Sequence, residues 1–424
     1  MKATEIPQAQ KPQPVSQLIP KATLIYLAIL LLGETTINYI DRQVVSVLAP
    51  TLRDEFHMSN SQYAAILNAF LITYLFFYSF AGWALDRLGF RRGLSLFFTW
   101  WSTAGALTSL STGPFSLGAF RSLIAVGEAG AWPSFAKAAA TWVPAEAQAL
   151  FIGTCNSGSS LGAMITLPLV AGIVYYTGSW RAAFAITGGV GLLWVVVFQI
   201  FMRRHPELVD AKHSVHSGRP KKSWTELLSF RQTWAVFFCR FFADPMWYFF
   251  LFWIPEFLTR ERGMNLTSIG KVAWIPFLAA DISNFVSGFV SMRLQKSGWS
   301  VNRTRKGLMI LAACMSPIGI LAVYAHSIGW TLALISIAIF FWMFWSVSVH
   351  TLAGDYFPAT EVASVYGIAG TGSTLGTAIS TFAVGYYLDL THSYTNVFIG
   401  IGALMPIALI VGLVMMGRVG PVQD

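Results

Sequence analysis

Charge is scarce in this sequence. Only 11% of its 424 residues are Asp, Glu, Lys or Arg, against about 25% in an ordinary soluble chain. Too few polar side chains remain to cover a water-exposed surface, which excludes a soluble globular protein. Cysteine is scarcer still. Cys155, Cys239 and Cys314 all fall within apolar runs, so neither a disulfide framework nor a set of metal-ligating thiols is implied. The sequence has no H-E-x-x-H and no phosphate-cradling glycine loop. It is not expected to be an enzyme, and no metal or cofactor is expected. The first twenty residues, MKATEIPQAQKPQPVSQLIP, have no apolar core and do not read as a signal peptide. They read as a disordered tail over 1–21.

Apolar residues are abundant, at 55% with a mean hydropathy of +0.58. A bilayer-spanning helix needs about 20 such residues. Twelve segments qualify: 22–50, 61–85, 92–111, 114–140, 147–176, 180–202, 232–259, 267–292, 306–326, 328–354, 360–388 and 394–417. Several hold Gly and Pro, which membrane helices tolerate. The connections are short except for the polar, basic stretch 203–231. The expected fold class is therefore an all-α integral membrane protein of twelve transmembrane helices. A six-helix bundle over 22–202 and another over 232–417 flank a cytoplasmic linker, and a short tail, 418–424, ends the chain.

Lysine and arginine set the orientation. With both termini in the cytoplasm, the inner segments hold Arg87, Arg91, Arg92, Arg203, Arg204, Lys212, Arg219, Lys221, Arg293, Arg305 and others. The outer loops hold Arg53, Arg181, Arg260 and Arg262. The net charge of +9 then reflects topology, and no nucleic-acid partner is implied. The chain is expected to cross a lipid bilayer many times, with both termini on the cytoplasmic side.

An internal repeat supports the six-plus-six division. VPAEAQALFIGTCNSGSSLG, from residue 143, aligns without a gap on FPATEVASVYGIAGTGSTLG, from residue 357. Pro144, Gly153, Gly158 and Gly162 match Pro358, Gly367, Gly372 and Gly376. Small residues at such spacing let helices approach closely. Two parallel repeats with a binding site between them is a transporter plan.

The loop GWALDRLGFRRG, 82–93, resembles the G-x-x-x-D-R-x-G-x-R-R signature of the major facilitator superfamily. The resemblance gives Gly82, Asp86, Arg87, Gly89, Arg91 and Arg92 a gating and stabilising role. NYIDRQ in the first segment, RSLIAVGEAGAWP in the fourth and NSGSSLGA in the fifth are similar to the anion:cation symporter family. RFFADPMWYFFLFWIPEFL and SVSVHTLAGDYFP most resemble its hexuronate and sugar-acid carriers. That resemblance implies proton-coupled uptake of a hexuronate, or of a related sugar acid such as an aldonate, across a bacterial inner membrane by a monomer whose partners are a small carboxylate substrate, protons and lipid. It places Arg42 on the substrate carboxylate, and Tyr39, Tyr74, Asn156 and Ser159 in the cavity. Ser373 and Thr374 are the repeat equivalents of Ser159 and Ser160. Asp244, Trp247, Tyr248 and His350 are the second-half candidates.

Ionisable residues inside spanning helices are functional candidates by default. Here they concentrate in the first half: Glu34, Asp41, Arg42, Arg121, Glu128 and Lys137. Glu34, Asn38 and Asp41, spaced four and three apart, share one helix face, while Arg42 lies about 100° round. A structural ion-pair network is the plain alternative, but buried pairs add little net stability over apolar packing. A planar guanidinium holds a carboxylate by two hydrogen bonds. Burial favours the neutral form of a carboxyl group and a neighbouring arginine favours the ionised form. Asp41 and Glu128, each within reach of Arg121, are thus the expected proton-coupling groups, and Lys137 is expected to snorkel to the inner face. Two other functions fit the same fold: an exporter or antiporter, and a transport-dead receptor for a sugar acid. The fifth segment lacks the G-P-x-x-G-G ending typical of antiporters, and the tail RVGPVQD and the loop 203–231 are expected to leave little room for a signalling domain.

Overall fold

The computed structural model describes residues 19–208, 222–264, 269, 272, 274–391 and 393–422. The expected tail before residue 19 and the linker residues 209–221 lie outside the described residues. Among the described residues there is no strand. The longer helices are α1 (Lys21–Val47), α2 (Asn60–Leu88), α3 (Phe90–Leu107), α4 (Pro114–Glu128), α5 (Ala131–Trp142), α6 (Gln148–Thr177) and α7 (Trp180–Arg204) in the first half. The second half holds α8 (Arg231–Arg262), α9 (Ile275–Lys296), α10 (Val301–Met315), α11 (Ile328–Tyr356), α12 (Val362–Thr391) and α13 (Thr395–Met416). Among the described residues eight helices are long and apolar enough to cross a membrane, or up to nine if the two arms of α6, bent by 41° at Pro168, are one span. The other expected segments are helical too. α3 carries Arg91 and Arg92 in its first turn, α12 is rich in Gly, Ser and Thr, and the fourth segment is broken into α4 and α5.

Local sequence explains the ends. Ser59 accepts the Gln62 amide N–H at 3.2 Å, and Ser59 donates its own N–H to the Gln62 side chain at 3.0 Å, a reciprocal cap that starts α2. Gly89, at φ 80°, makes the turn into α3 in a conformation that glycine adopts without strain. The break between α4 and α5 follows Glu128 directly. Pro133 offers no N–H to the carbonyl four residues back, which weakens the ladder there.

The two halves pack alike. α1 runs along α6 as α8 runs along α12, and α2 lies on α4 as α9 lies on α11. Two seams join the halves, α2 with α12 and α6 with α9. The repeat glycines sort themselves between these tasks. A Cβ on Gly158 would stand 2.0 Å from Thr35 Oγ1 of α1, and one on Gly376 2.0 Å from the Phe241 carbonyl of α8. Gly153 and Gly367 instead press across the seams, on the Asn284 and Tyr78 carbonyls. Asn156 donates to Asn284 across one seam at 2.8 Å, and Ser79 bonds Thr371 across the other at 2.8 Å.

Gly82 stands where α2 and α12 press together. A Cβ there would lie 2.0 Å from the Ala363 carbonyl. Overpacking of this kind costs about 1–3 kcal/mol, and here it falls on contacts between the halves. Gly82→Val is expected to prop this seam open and cut transport more than about tenfold. A cysteine placed at Ser364, buried in the seam, should then react faster with a thiol reagent in the Gly82→Val background. Unchanged labelling would show that the seam closes regardless.

Candidate functional site

A small chamber lies between the halves. Tyr39 and Tyr74 wall it from α1 and α2, and Asn156 and Ser159 from α6. The second half contributes Trp247 and Tyr248 from α8, His350 from α11, and Ser373 and Thr374 from α12. All nine were expected from the sequence. Asp244 lines the chamber as well. Trp247 stacks on Trp342 at 5.3 Å, and the Trp342 indole donates to the Ala243 carbonyl at 2.8 Å, which fixes this wall. His350 sits among Trp132, Phe135 and Tyr366, and its Nδ1 has no hydrogen-bond partner among the described residues.

Arg42, expected on the substrate carboxylate, stands just outside the lining. Its Nε and Nη2 both donate to Glu128 Oε2, at 3.0 and 2.7 Å. The guanidinium lies 5.4 Å from the Tyr39 ring centroid and 5.1 Å from those of Tyr74 and Phe70. It therefore stands against the rings that wall the chamber, held by a carboxylate with no exposed surface. Arg121 lies close to both Asp41 and Glu128, as expected. Its Nη1 and Nη2 donate to the backbone carbonyls of Asp41 and Arg42 at 3.4 and 3.5 Å, and its guanidinium covers Phe70. Among the described residues it forms no ion pair with Asp41 or Glu128. Asp41 faces Trp101 and Gly105 of α3 and Thr187 of α7, away from the chamber lining. The 100° between successive side chains on a helix separates Asp41 from Arg42 in this way.

The cation in the chamber wall is Arg240, for which sequence reasoning found no role. Its Nε donates to Asp244 Oδ2 at 3.0 Å, and its guanidinium lies over Tyr366 and Tyr78. Nη1 has no hydrogen-bond partner among the described residues. The signal was present in RFFAD: an arginine four residues before an aspartate, inside an apolar span. Buried Asp281 of α9 was missed too. Ionisable groups are thus not concentrated in the first half.

Lys137 does not snorkel. It is 7% exposed, and its amine pairs with Asp86 and donates to the Ala359 carbonyl at 3.1 Å. Asp86 in turn accepts the Ser364 N–H and hydroxyl, each at 2.7 Å, at the start of α12. An acceptor there suits the free amides and positive end of a helix. Asp86 and Lys137 so tie α2 and α5 to the second half. Arg87 covers the Trp83 ring, Arg91 donates twice to Gln199 at 2.9 and 2.8 Å, and Arg92 is exposed.

The family model described as Major Facilitator Superfamily matches residues 32–381. The chain belongs to the major facilitator superfamily. It is accordingly a multi-pass membrane protein of a transporter family, not an enzyme. A hexuronate transporter of Escherichia coli (strain K12) is 31% identical over 380 residues, covering 86% of this chain and 87% of that one. A galacturonate transporter of Dickeya chrysanthemi is 32% identical over 277 residues, 62% of this chain and 79% of the other. Among solved structures, the proton:xylose symporter XylE, bound to 6-bromo-6-deoxy-D-glucose, aligns with a TM-score of 0.71 at 15% identity, covering 95% of this chain and 98% of that one. At that identity the likeness concerns the fold alone. The superfamily fold accounts for the twelve helical segments, the pseudo-symmetric packing and the chamber between the halves.

Proposed function

We propose that this chain is a secondary carrier that takes up a small sugar acid together with protons. A hexuronate such as glucuronate or galacturonate is the first candidate, and an aldonate the second. One observation carries this reading: a chain similar along most of its length to a hexuronate transporter holds a mid-bundle chamber with arginine at its wall and arginine beside it. The superfamily's members move solutes, and a buried cation selects an anion. The hydroxyl and amide groups of Tyr39, Tyr74, Asn156, Ser159, Ser373 and Thr374 suit a polyhydroxylated ligand.

Glu128 and Arg42 supply the coupling. Protonation of Glu128 releases Arg42, which turns past Tyr39 and Tyr74 to take the substrate carboxylate. Arg240 stays beside Asp244 and offers its free Nη1 to the far end of the ligand. Asp41 and Arg121 set the local charge around Glu128, and Asp41 passes its proton on. The segments 22–202 and 232–417 rock about the chamber in alternating access, with 203–231 as the connection. Both termini and the basic loops face the cytoplasm, in a bacterial inner membrane, and one copy suffices.

The test is uptake into proteoliposomes over a panel of labelled hexuronates, aldonates and neutral sugars, with imposed proton or sodium gradients. Proton-driven accumulation of a sugar acid is expected, with neutral sugars excluded. Accumulation driven by sodium alone, or transport of neutral sugars only, would reject the reading.

A further inference from the structure

Glu34 is a carboxyl group with no exposed surface and no basic partner, deep in α1. Ser134 of α5 donates to its Oε1 at 3.3 Å, while Oε2 has no hydrogen-bond partner among the described residues. The elements packed on this part of α1 bring no cation to it. α6 presents the Cys155 thiol and the close approach of Gly158 beside Thr35. α7 presents Trp194, whose indole donates to the Leu30 carbonyl at 3.0 Å. Lys137 shares α5 with Ser134, but its amine is turned to Asp86. An acidic group in such a place is costly, and apolar packing would be the cheaper filling.

Glu34 is not alone on this face. Asn38 and Asp41 follow at one-turn spacing, 1% and 3% exposed. Neither Asn38 side-chain atom and neither Asp41 oxygen meets a hydrogen-bond partner among the described residues. Asn38 faces Glu128, whose Oε1 is likewise unpartnered. Buried polar atoms are satisfied in nearly every native structure, by protein or by water. Here the unsatisfied atoms form a file along α1, from Asp41 to Glu34, about 10 Å long at 1.5 Å per residue. The file lies inside the first half, and Glu34, Asn38 and Asp41 are absent from the chamber lining.

We propose that this file is a hydrated proton route and that Glu34 is its relay carboxyl on the side of α1 that begins at Lys21. The proton received by Glu128 and Asp41 passes by water held on the Asn38 amide to Glu34, and then to water at Ser134. It is handed from carboxyl to water to carboxyl, and no group other than these changes its proton count. Proton and substrate therefore travel by separate paths. Glu34 is a positioning and relay residue that touches no substrate. The proposal rests on the proton-coupled reading above.

The experiment uses the full chain in proteoliposomes with a pH dye inside. It compares substrate-driven proton entry with substrate-for-substrate exchange in wild type, Glu128→Gln, Glu34→Gln and Glu34→Asp. Glu34→Gln is expected to slow proton entry and net uptake by about tenfold or more, with exchange and melting temperature near wild type. Glu34→Asp should restore most of the rate. Asn38→Leu closes the file without removing a charge and carries the same expectation, so a Glu34→Gln protein that fails to fold does not end the test. Wild-type proton entry in both Glu34→Gln and Asn38→Leu would overturn the relay while leaving symport intact. So would parallel loss of exchange and proton entry with a lower melting temperature. A wild-type protein that moves no protons would remove the coupled reading itself, and the relay with it.

Discussion

Arg42→Lys is expected to reduce uptake at least about a hundredfold, near 2.7 kcal/mol of transition-state stabilisation, although the positive charge is kept. Two features of the site require a guanidinium. Nε and Nη2 reach the same Glu128 oxygen together, at 3.0 and 2.7 Å. A single ammonium is a point donor and cannot repeat that fork, either on Glu128 or on a substrate carboxylate. The flat guanidinium also rests between Tyr39, Phe70 and Tyr74. An ammonium is more strongly hydrated and loses more on entering that aromatic slot. Binding should fall with transport, because the same contact serves both. Substrate-induced protection against thermal unfolding is the direct measure. Near-normal protection in Arg42→Lys would move carboxylate recognition to Arg240, the cation that lines the chamber.

How much of this was legible in the sequence depended on the kind of physics. The spans were legible because lipid imposes a length and a composition on any helix that crosses it. The repeat was legible because closeness of helices demands glycine, and its glycines do fall in two matched roles, against α1 and α8 and across the two seams. The chamber walls were largely legible as well, since the repeat and the resemblance fix which helix faces meet. Pairing was not. Nothing in the sequence says that Glu128 takes Arg42 and leaves Arg121 to backbone carbonyls, because that choice depends on how the packed helices face one another. Lys137 was misplaced for a similar reason. A lysine near a span end usually reaches water, but here Asp86 and a carbonyl of the facing half meet it first. Arg240 was overlooked because its charge is cancelled one turn on by Asp244, so the span still reads as apolar. An i,i+4 pair of opposite charges inside a span is the signal that would have found it.

Glu128→Gln is expected to end accumulation against a gradient while leaving exchange running. Glutamine keeps the size of the side chain and one oxygen able to accept from Arg42. It removes the negative charge, and with it the charge-assisted part of the contact, which makes such a bond about twice as strong as a neutral one. Arg42 is then loosely held whatever the pH, as it would be beside a protonated Glu128. Substrate binding should become at least as tight as in wild type and should lose its dependence on pH. Loaded carriers can still rock between their two facing states, so labelled substrate inside exchanges for unlabelled substrate outside. Accumulation needs more than rocking. A proton gradient drives it only if the two facing states differ in proton occupancy, and a site that cannot titrate provides no such difference. A purely structural ion pair predicts another outcome. Breaking a buried pair by removing one partner costs about 3–5 kcal/mol, so the melting temperature, exchange and uptake would all fall together. Both transport modes and the melting temperature are therefore measured on the same Glu128→Gln preparation, with Asp41→Asn beside it. Asp41 faces Trp101 and Thr187 and not Arg42, so its neutralisation should slow proton delivery without freeing the arginine: binding stays pH-dependent and accumulation slows. If both variants still accumulate substrate with the wild-type response to pH, neither carboxyl group couples the proton and the switch lies elsewhere, with the Arg240–Asp244 pair in the chamber the next to neutralise.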